Sequence, residues 1–406
     1  MKQMSRLSTQ EKRPVFRSAA LRFVVLIGIL SLFADMTYEG ARSINGPFLA
    51  VLGATGTAVG VISGLGELLG YLVRLLSGYA SSRTGRYWFI TGIGYVVNLL
   101  AVPLLALAGN WEVAATLMIF ERVGKGIRNP PRDAMLSHAG TVIGPGWAFA
   151  LREALDQTGA MIGPLAMAVI LYLNGSYRTG YAFLLIPALV SLAVLATGRR
   201  LYPNPRELET GGETLPQGRR LPRAFWIYLT SMSLIALGYA DFTLVSFHLQ
   251  KTSLASAGEI PILYAVAMAV SGASALVFGR WFDRGGLPVL AFAAALSAFF
   301  APFVFLGGFA LAVVGMVLWG IGMGIQDSLM SAPIVGMVSA ERRAYAYGIF
   351  NACYGVAWFA GSALLGVLYD HASILAVVVF SVVVQLSSIP VLLLVAREQP
   401  NRNSLR

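Results

Sequence analysis

Hydrophobic residues occur along this chain in long runs, separated by short polar segments. A helix rises about 1.5 Å per residue, so about 20 apolar residues are needed to cross the hydrocarbon core of a bilayer. The runs reach about this length again and again, which predicts an all-α membrane protein. We place twelve spanning helices at about 22–50, 55–79, 87–108, 111–136, 147–172, 180–198, 224–250, 258–281, 287–307, 309–335, 344–369 and 372–396.

The composition agrees with this prediction. Hydrophobic residues make up 57% of the 406 residues and charged residues only 12%, whereas soluble domains contain about 25% charged residues. The mean hydropathy is +0.70. The single cysteine, Cys353, excludes a disulfide framework, and three scattered histidines do not suggest a metal centre. We therefore expect neither a metal nor a cofactor.

The net charge of +11 does not indicate nucleic-acid binding, because the basic residues lie in short segments between apolar runs. Six of them precede or begin the first run, and six lie in the long link 199–223. The connections predicted to lie on the other side of the membrane carry only Arg178 and Lys251. The positive-inside rule then predicts that both termini are cytoplasmic. The link also divides the chain into a first unit, 1–198, and a second unit, 224–406.

The two units resemble each other. At an offset of 198 residues, Gly124 and Gly126 meet Gly322 and Gly324, and helices four and five repeat as helices ten and eleven. Offsets of 201 and 206 align residues 78–85 with 279–286, and Asp35 with Asp241. This repetition predicts two pseudo-symmetric bundles of six helices.

The segment 120–133, with sequence FERVGKGIRNPPRD, places six charged residues inside otherwise apolar sequence. Glu121, Lys125, Arg128 and Arg132 share one helical face, and Glu121 lies about 15 Å along the helix from its start, near mid-bilayer. Such a face must contact protein or water, since a charge in lipid costs about 2.5 kcal/mol or more. The following Asn-Pro-Pro predicts a broken or kinked helix beside a cavity.

Other predicted helices of the first unit also carry charges of both signs on one face. Candidate transport residues in both units are Asp35, Glu39, Arg42, Glu121, Lys125, Arg128, Arg152, Asp156, Asp241 and Asp327. For Arg152, as for Glu67 and Arg74, buried ion pairs that only hold the helices together are an alternative explanation. The second unit offers a polar and aromatic lining of the type that binds amphipathic molecules, with Tyr239, Gln326, Asn351, Tyr354 and Trp358 as candidates, beside Tyr264 and Trp319.

The chain resembles the major facilitator superfamily over essentially its whole length. The resemblance rests on the twelve spans, the central link and the loop pattern G-x-x-x-D-R-x-G, which is intact in the second unit as Gly279, Asp283, Arg284 and Gly286. In the first unit Ser82 replaces the aspartate, while Gly78, Arg83, Gly85 and Arg86 fit. The superfamily implies a substrate site at the midplane and alternating access, with the loop residues acting as a gate.

Two further motifs refine this resemblance. Gly159 to Pro164 is similar to the antiporter signature of the superfamily, which favours export, and residues 121–134 resemble a bacterial branch. Because Ser82 lacks the charge of the usual aspartate, we expect the resting state to favour the inward-open form. Helices one and four line the cavity in the resembling family, so Asp35, Glu39, Glu121 and Lys125 are expected to act in proton coupling.

We therefore predict a proton-coupled secondary transporter that exports a small organic molecule across a bacterial cytoplasmic membrane and functions as a monomer. An exchanger of organic anions or phosphorylated metabolites, using Arg42, Lys125, Arg128 and Arg152, is the alternative within transport. An intramembrane enzyme or a membrane sensor is the alternative from another class. The sequence contains neither a HExxH motif nor a Walker loop, so neither a zinc protease nor an ATP-driven pump is expected.

The predicted topology can be tested with single cysteines in a Cys353→Ala background. Cysteines placed at Gly175 and Ser256 should react in intact cells with a membrane-impermeant thiol reagent, because both positions are predicted to face the exterior. A cysteine at Gly212, in the central link, should stay unlabelled until the membrane is permeabilised. Labelling of Gly212 in intact cells would reverse the orientation.

Overall fold

The computed structural model describes residues 2–204, 221–328, 330, 332–338 and 343–398, and these residues form helices joined by short turns. The long helices are numbered here α1 to α12, and α6, α7 and α9 each consist of two segments. They are α1 (Lys2–Val51), α2 (Gly56–Thr84), α3 (Tyr87–Leu104), α4 (Trp111–Ile143), α5 (Pro145–Asn174), α6 (Tyr177–Phe183 and Leu185–Leu201), α7 (Arg223–Gly238 and Phe242–Lys251), α8 (Glu259–Gly285), α9 (Leu287–Ala298 and Phe300–Leu306), α10 (Phe309–Ser328), α11 (Arg343–His371) and α12 (Ile374–Glu398).

The helix count agrees with the sequence-based prediction. Within the described part of the chain, eleven segments are long and apolar enough to cross a membrane. The twelfth is α4, whose 33 residues are long enough to span but carry the charged segment 120–133. The predicted all-α membrane protein is therefore confirmed, whereas most of the link 199–223 lies outside the described residues.

The internal repeat is visible in how equivalent helices pack. Gly126 of α4 lies against Gly70 of α2, and its counterpart Gly324 of α10 lies against Ser271 of α8. In both places a Cβ atom on the glycine would collide with backbone of the neighbouring helix. The absence of a side chain thus lets the two helices approach closely in each bundle, as small residues do between membrane helices.

The contact between α1 and α5 repeats as the contact between α7 and α11. Gly163 lies against the carbonyl of Met36, and Gly361 against that of Leu237. Met36 and Leu237 are 201 residues apart, so this packing does not support the offset of 206 that aligned Asp35 with Asp241. Asp241 instead follows the interruption of α7 and caps its second segment, accepting from the Thr243 N–H at 2.8 Å.

Of the break or kink predicted at Asn-Pro-Pro, the break is wrong, since α4 continues through Pro130 and Pro131 to Ile143, and the kink stays a prediction. Pro131 has no N–H, and the carbonyl of Ile127 therefore loses its usual donor within the helix. The hydroxyl of Ser77 on α2 donates to this carbonyl at 2.5 Å. A neighbouring helix thus supplies the missing hydrogen bond, as is usual where proline is tolerated in membrane helices.

The two bundles meet mainly where α2 packs on α11, α5 on α8, and α1 on α7. At the end of the molecule that holds the α1–α2 connection, Asp370 of α11 accepts hydrogen bonds from the N–H groups of Gly56 and Thr57 at 3.0 and 2.6 Å. These groups begin α2, where a negative charge is favourable. Tyr177 also donates to Gln250 at this end, at 3.0 Å. We call this end of the molecule the α1–α2 end. Hydrogen bonds between the two bundles hold it closed.

Replacing Asp370 with asparagine should loosen this closure, because the amide keeps the size but removes the charge that faces the helix start. A contribution of about 1 kcal/mol corresponds to a roughly fivefold shift toward separation of the two bundles at this end. Spin labels on the exposed residues Val51 and Ala372 should therefore show a larger population of long distances in Asp370→Asn.

Glu259→Gln is the matched control, since Glu259 accepts from the N–H of Ser256 within one bundle. The label distances should be unchanged in this variant. An identical distance distribution in Asp370→Asn and the unsubstituted protein would show that the cap does not hold the α1–α2 end closed.

Candidate functional site

A cavity of about 360 Å³ lies between the two bundles, a volume typical of small-molecule sites. Its walls come from α1, α2, α4 and α5 on one side and from α8, α10 and α11 on the other. Along α4 it extends from Arg122 to Asp133, about 16 Å, and so runs toward the end of the molecule opposite the α1–α2 end. The charged residues that line it are Asp35, Glu39, Glu67, Asp133, Glu153, Asp156 and Asp327, and Arg42, Arg74, Arg122, Lys125, Arg128, Arg132 and Arg152.

These seven acids and seven bases give the lining a formal charge of zero. Most of them are paired. Lys125 of α4 lies 3.7 Å from Glu39 of α1, and Arg122 lies 3.4 Å from Glu67 of α2. The Lys125 ammonium also lies 4.0 Å from the centre of the Tyr38 ring. Charges on α4 are thus compensated by acids on the helices that pack around it, as buried ions require.

Arg128 has a different environment. Its guanidinium lies between two rings, 4.5 Å from the centre of Tyr95 and 5.3 Å from that of Tyr38. Asp35 approaches to 3.9 Å, which is too far for a hydrogen bond. None of the three guanidinium nitrogens has a hydrogen-bond partner among the described residues, although the side chain is fully buried. Arg128 is therefore held by ring contacts and a loose ion pair.

A third group of charges lies on α4 and α5, where each helix pairs its own charges. Arg152 forms ion pairs with Asp156, one turn further along α5, and with Glu153 at 2.8 Å. Arg132 pairs with Asp133 at 2.9 Å and donates to the hydroxyl of Ser31 at 3.3 Å. One oxygen of Asp156 has no hydrogen-bond partner among the described residues.

Among the residues that the structure describes, two side-chain hydrogen bonds link α1 with the second bundle beside the cavity. Arg42 of α1 donates to Asp241 of α7 at 2.9 Å, and the phenol of Tyr264 of α8 donates to Glu39 of α1 at 2.5 Å. Glu39 thus accepts from the second bundle while it pairs with Lys125 in the first. A change in the charge of Glu39 would act on both bundles at once.

The opposite wall is less charged. Tyr354 of α11 donates to the side-chain oxygen of Gln326 at 2.5 Å, and Trp358 lines the cavity with an indole N–H that has no partner among the described residues. Asp327 is exposed to the cavity. Among the described residues no Arg, Lys or His lies within 4 Å of it, unlike the other six cavity acids.

Most of the predicted site residues meet at this cavity, namely Asp35, Glu39, Arg42, Lys125, Arg128, Arg152, Asp156, Gln326, Asp327, Tyr354 and Trp358. Glu121, Asp241, Tyr239 and Asn351 do not line it. Glu121 faces α3 and accepts from the side chain of Asn98 at 2.9 Å. Tyr239 donates to the Trp319 carbonyl inside the second bundle. Asp241 contacts the cavity residue Arg42.

Sequence reasoning missed several lining residues. Arg122, Asn129 and Asp133 line the cavity. Their spacing of seven and four residues is helical, so the face of α4 that lines the cavity is wider than the predicted one. Tyr38 was missed because an aromatic residue inside an apolar helix gives no signal of its own. Its role depends on the two cations that stack on it.

The loop residues of the predicted gate are only partly described. Ser82 donates to the carbonyl of Tyr79 in its own helix, and Arg83 donates to the Tyr79 hydroxyl at 2.7 Å. Gly85 ends α2 with a φ of 69°, a left-handed conformation that favours glycine. Gly78 lies beside Pro130 of α4. The side chain of Asp283 lies outside the described residues, so the proposed role of Arg86, Gly279, Asp283 and Arg284 in gating stays a prediction.

Comparisons with known proteins agree with this architecture. A profile of the Major Facilitator Superfamily matches residues 25–325 and, in a second match, 224–406. An uncharacterized protein of Mycobacterium tuberculosis is 42% identical over 358 residues, which cover 87% of this chain and 88% of that protein. An uncharacterized MFS-type transporter of Methanocaldococcus jannaschii is 25% identical over 364 residues, covering 85% and 88%.

Solved structures share the fold at low sequence identity. The nucleoside transporter NupG superposes with a TM-score of 0.73 at 13% identity, covering 91% of this chain and 99% of that one. A POT family transporter in complex with 5-aminolevulinic acid superposes with a TM-score of 0.74 at 12% identity, covering 93% and 96%. The profile, the relatives and the paired six-helix bundles show that this chain belongs to the Major Facilitator Superfamily and is a secondary transporter.

Proposed function

We propose that this protein exports a small organic molecule from the cytoplasm in exchange for protons, by alternating access of the cavity to the two sides of the membrane. The observation that carries the proposal is the loose ion pair between Asp35 and Arg128, deep in the cavity wall. One oxygen of Asp35, Oδ1, has no hydrogen-bond partner among the described residues and lies 3.9 Å from Arg128.

A carboxylate in this position can exist in two states. Ionised, it compensates Arg128 at 3.9 Å; protonated, it releases Arg128 from the ion pair. Exchange between these states changes the net charge of the first bundle by one, without a change in its packing. A group of this kind, buried beside a cation and open to a cavity, fits a proton-coupling site.

The charge change can reach the contacts between the bundles. Lys125 pairs with Glu39, and Glu39 accepts from Tyr264 of the second bundle. Protonation of an acid in this network would redistribute the cations among the remaining acids and thereby weaken or strengthen the ties across the cavity. Glu121 supports the same network from outside the cavity, through its contact with Arg122 at 3.4 Å.

Two observations support export. Gly159 and Gly163, from the stretch that resembles the antiporter signature, pack against Leu32 and the carbonyl of Met36 on α1, on either side of Asp35. The signature and the coupling residue therefore lie in one contact. The cavity also extends toward the end that the positive-inside rule assigns to the cytoplasm, so a cytoplasmic substrate would enter it in this conformation.

An exchanger of organic anions is a second candidate, because Arg128 presents donors without a described acceptor. The equal numbers of acids and bases around the cavity count against it, since an anion site needs a local excess of positive charge. Flux measured with and without a pH gradient separates the two, as anion exchange needs no proton gradient.

The coupling role of Asp35 predicts the behaviour of Asp35→Asn. In proteoliposomes, transport driven by a pH gradient should be lost, while downhill exchange of the same substrate continues, because the amide keeps the shape but cannot bind a proton. Infrared difference spectra between acidic and alkaline buffer should also lose the band of a protonated carboxyl group. Glu39→Gln is expected to impair pH-driven transport as well.

Glu112→Gln is the control, because Glu112 is exposed in the first turn of α4 and outside the cavity. It should transport like the unsubstituted protein. If Asp35→Asn and Glu39→Gln both still transport against a substrate gradient when driven by pH, the coupling site is elsewhere, with Asp156 and Asp327 as the next carboxylates to test.

A further inference from the structure

The internal repeat relates the two facing walls of the cavity. Gly126 and Gly324 occupy equivalent places in α4 and α10, since each contacts the equivalent neighbouring helix. Two and three residues further along, Arg128 and Asn129 correspond to Gln326 and Asp327, and all four line the cavity. On the α4 wall these positions hold a cation and an amide, Arg128 and Asn129. On the α10 wall the equivalent positions hold an amide and an acid, Gln326 and Asp327.

The cation lacks an acceptor. Tyr38 and Tyr95 lie beside the guanidinium of Arg128, and none of its N–H groups bonds to a described residue. An unsatisfied buried donor of this strength is costly. The planar guanidinium edge matches a carboxylate or a phosphate group, which can accept two parallel hydrogen bonds. The side chain is fully buried in this conformation, so a ligand contacts it only when the cavity wall around Arg128 opens.

The acid on the opposite wall lacks a cation. Asp327 is the one cavity carboxylate without a described Arg, Lys or His within 4 Å. Its neighbour Gln326 cannot replace a cation, and the oxygen of Gln326 is already bonded to Tyr354. A protonated nitrogen would compensate Asp327 as Arg and Lys compensate the other acids.

We infer that the transported molecule is amphoteric, with an anionic oxygen group that binds Arg128 and a protonated nitrogen that binds Asp327. The inference rests on the proposed function and names its substrate class. Binding would connect the two bundles through one molecule, with its apolar part beside Trp358 and Tyr354. The lining is neutral as a whole, so a molecule of no net charge fits without leaving a charge in excess.

Molecules with one charge fit less well. A simple anion would satisfy Arg128 but leave Asp327 uncompensated, and a simple amine would do the reverse. Specificity of this kind comes from the uncompensated group that the wrong ligand leaves behind. In the competing explanation, Arg128 is a structural ion held by its two rings and by Asp35 and takes no part in binding.

The test uses full-length protein in detergent, without any gradient, and a series of unbranched ω-amino acids from glycine to 8-aminooctanoate. Each is compared with the amine and the carboxylate of the same length, by calorimetry and thermal shift. At least one amino acid should bind about tenfold or more tightly than both of its singly charged relatives, the gain expected for one additional charge-assisted contact. The chain length of the amino acid that binds most tightly then indicates the distance between the side chains of Arg128 and Asp327.

Two variants test which charged group of the ligand contacts which residue. In Arg128→Gln, the best amino acid should bind no more tightly than the amine of the same length binds to the unsubstituted protein. In Asp327→Asn, it should bind no more tightly than the carboxylate of the same length. Each introduces the residue type that the repeat already holds at the equivalent position. Arg128→Lys keeps the charge but not the planar edge, so its affinity for the best amino acid should lie between those of the unsubstituted protein and Arg128→Gln. It serves as the test if Arg128→Gln does not fold. Arg200→Gln and Glu112→Gln, exposed charges outside the cavity, are the controls.

The inference is overturned if no amino acid of the series binds more tightly than its singly charged relatives. It is also overturned if the variants at Arg128 and Asp327 bind the best amino acid like the unsubstituted protein. Failure of the proposed function looks different, since binding of amino acids would persist while pH-driven transport was absent. Transport of another class of molecule, with no binding in this series, would leave proton coupling intact and remove only the substrate class.

Discussion

The first bundle depends on the compensation of ions in an interior that offers little water. A single charge in hydrocarbon costs about 2.5 kcal/mol or more, yet α4 alone carries Arg122, Lys125 and Arg128 at membrane depth. The bundle can hold them because α1 and α2 place Asp35, Glu39 and Glu67 within 4 Å. This requirement fixes which faces of the helices turn inward, and it leaves the cavity walls hydrophilic.

The backbone obeys the same constraint. Pro131 removes a donor from α4, and Ser77 of α2 replaces it, so the helix continues where a break was expected. This contact is possible because Gly126 of α4 and Gly70 of α2 let the two helices approach closely. Close packing, hydrogen bonding and charge compensation therefore depend on one another along α4, and the Asn-Pro-Pro sequence is compatible with a continuous helix only in this setting.

The two bundles share a scaffold but present different chemistry to the cavity. Glycine contacts between equivalent helices are retained, whereas among the described residues the ion pairs within the first bundle have no counterpart within the second. The ties across the cavity combine both kinds of wall, since Arg42 and Glu39 of the first bundle contact Asp241 and Tyr264 of the second. Under the proposed function, a change of charge in the first bundle alters these contacts with the second, and alternating access moves one bundle against the other.

The sequence by itself determined the helix count, the repeat and the location of the charged segments, because span length and hydrophobic period are local properties of a chain. Most of the site residues that it predicted line the cavity, because a charge inside an apolar run can be recognised from local sequence. Only the tertiary structure decided which acid meets which cation, that Glu121 faces Asn98, and that α4 passes through two prolines. Helical periodicity gives the relative directions of side chains within one helix, but the rotation of that helix against its neighbours depends on contacts far apart in the chain.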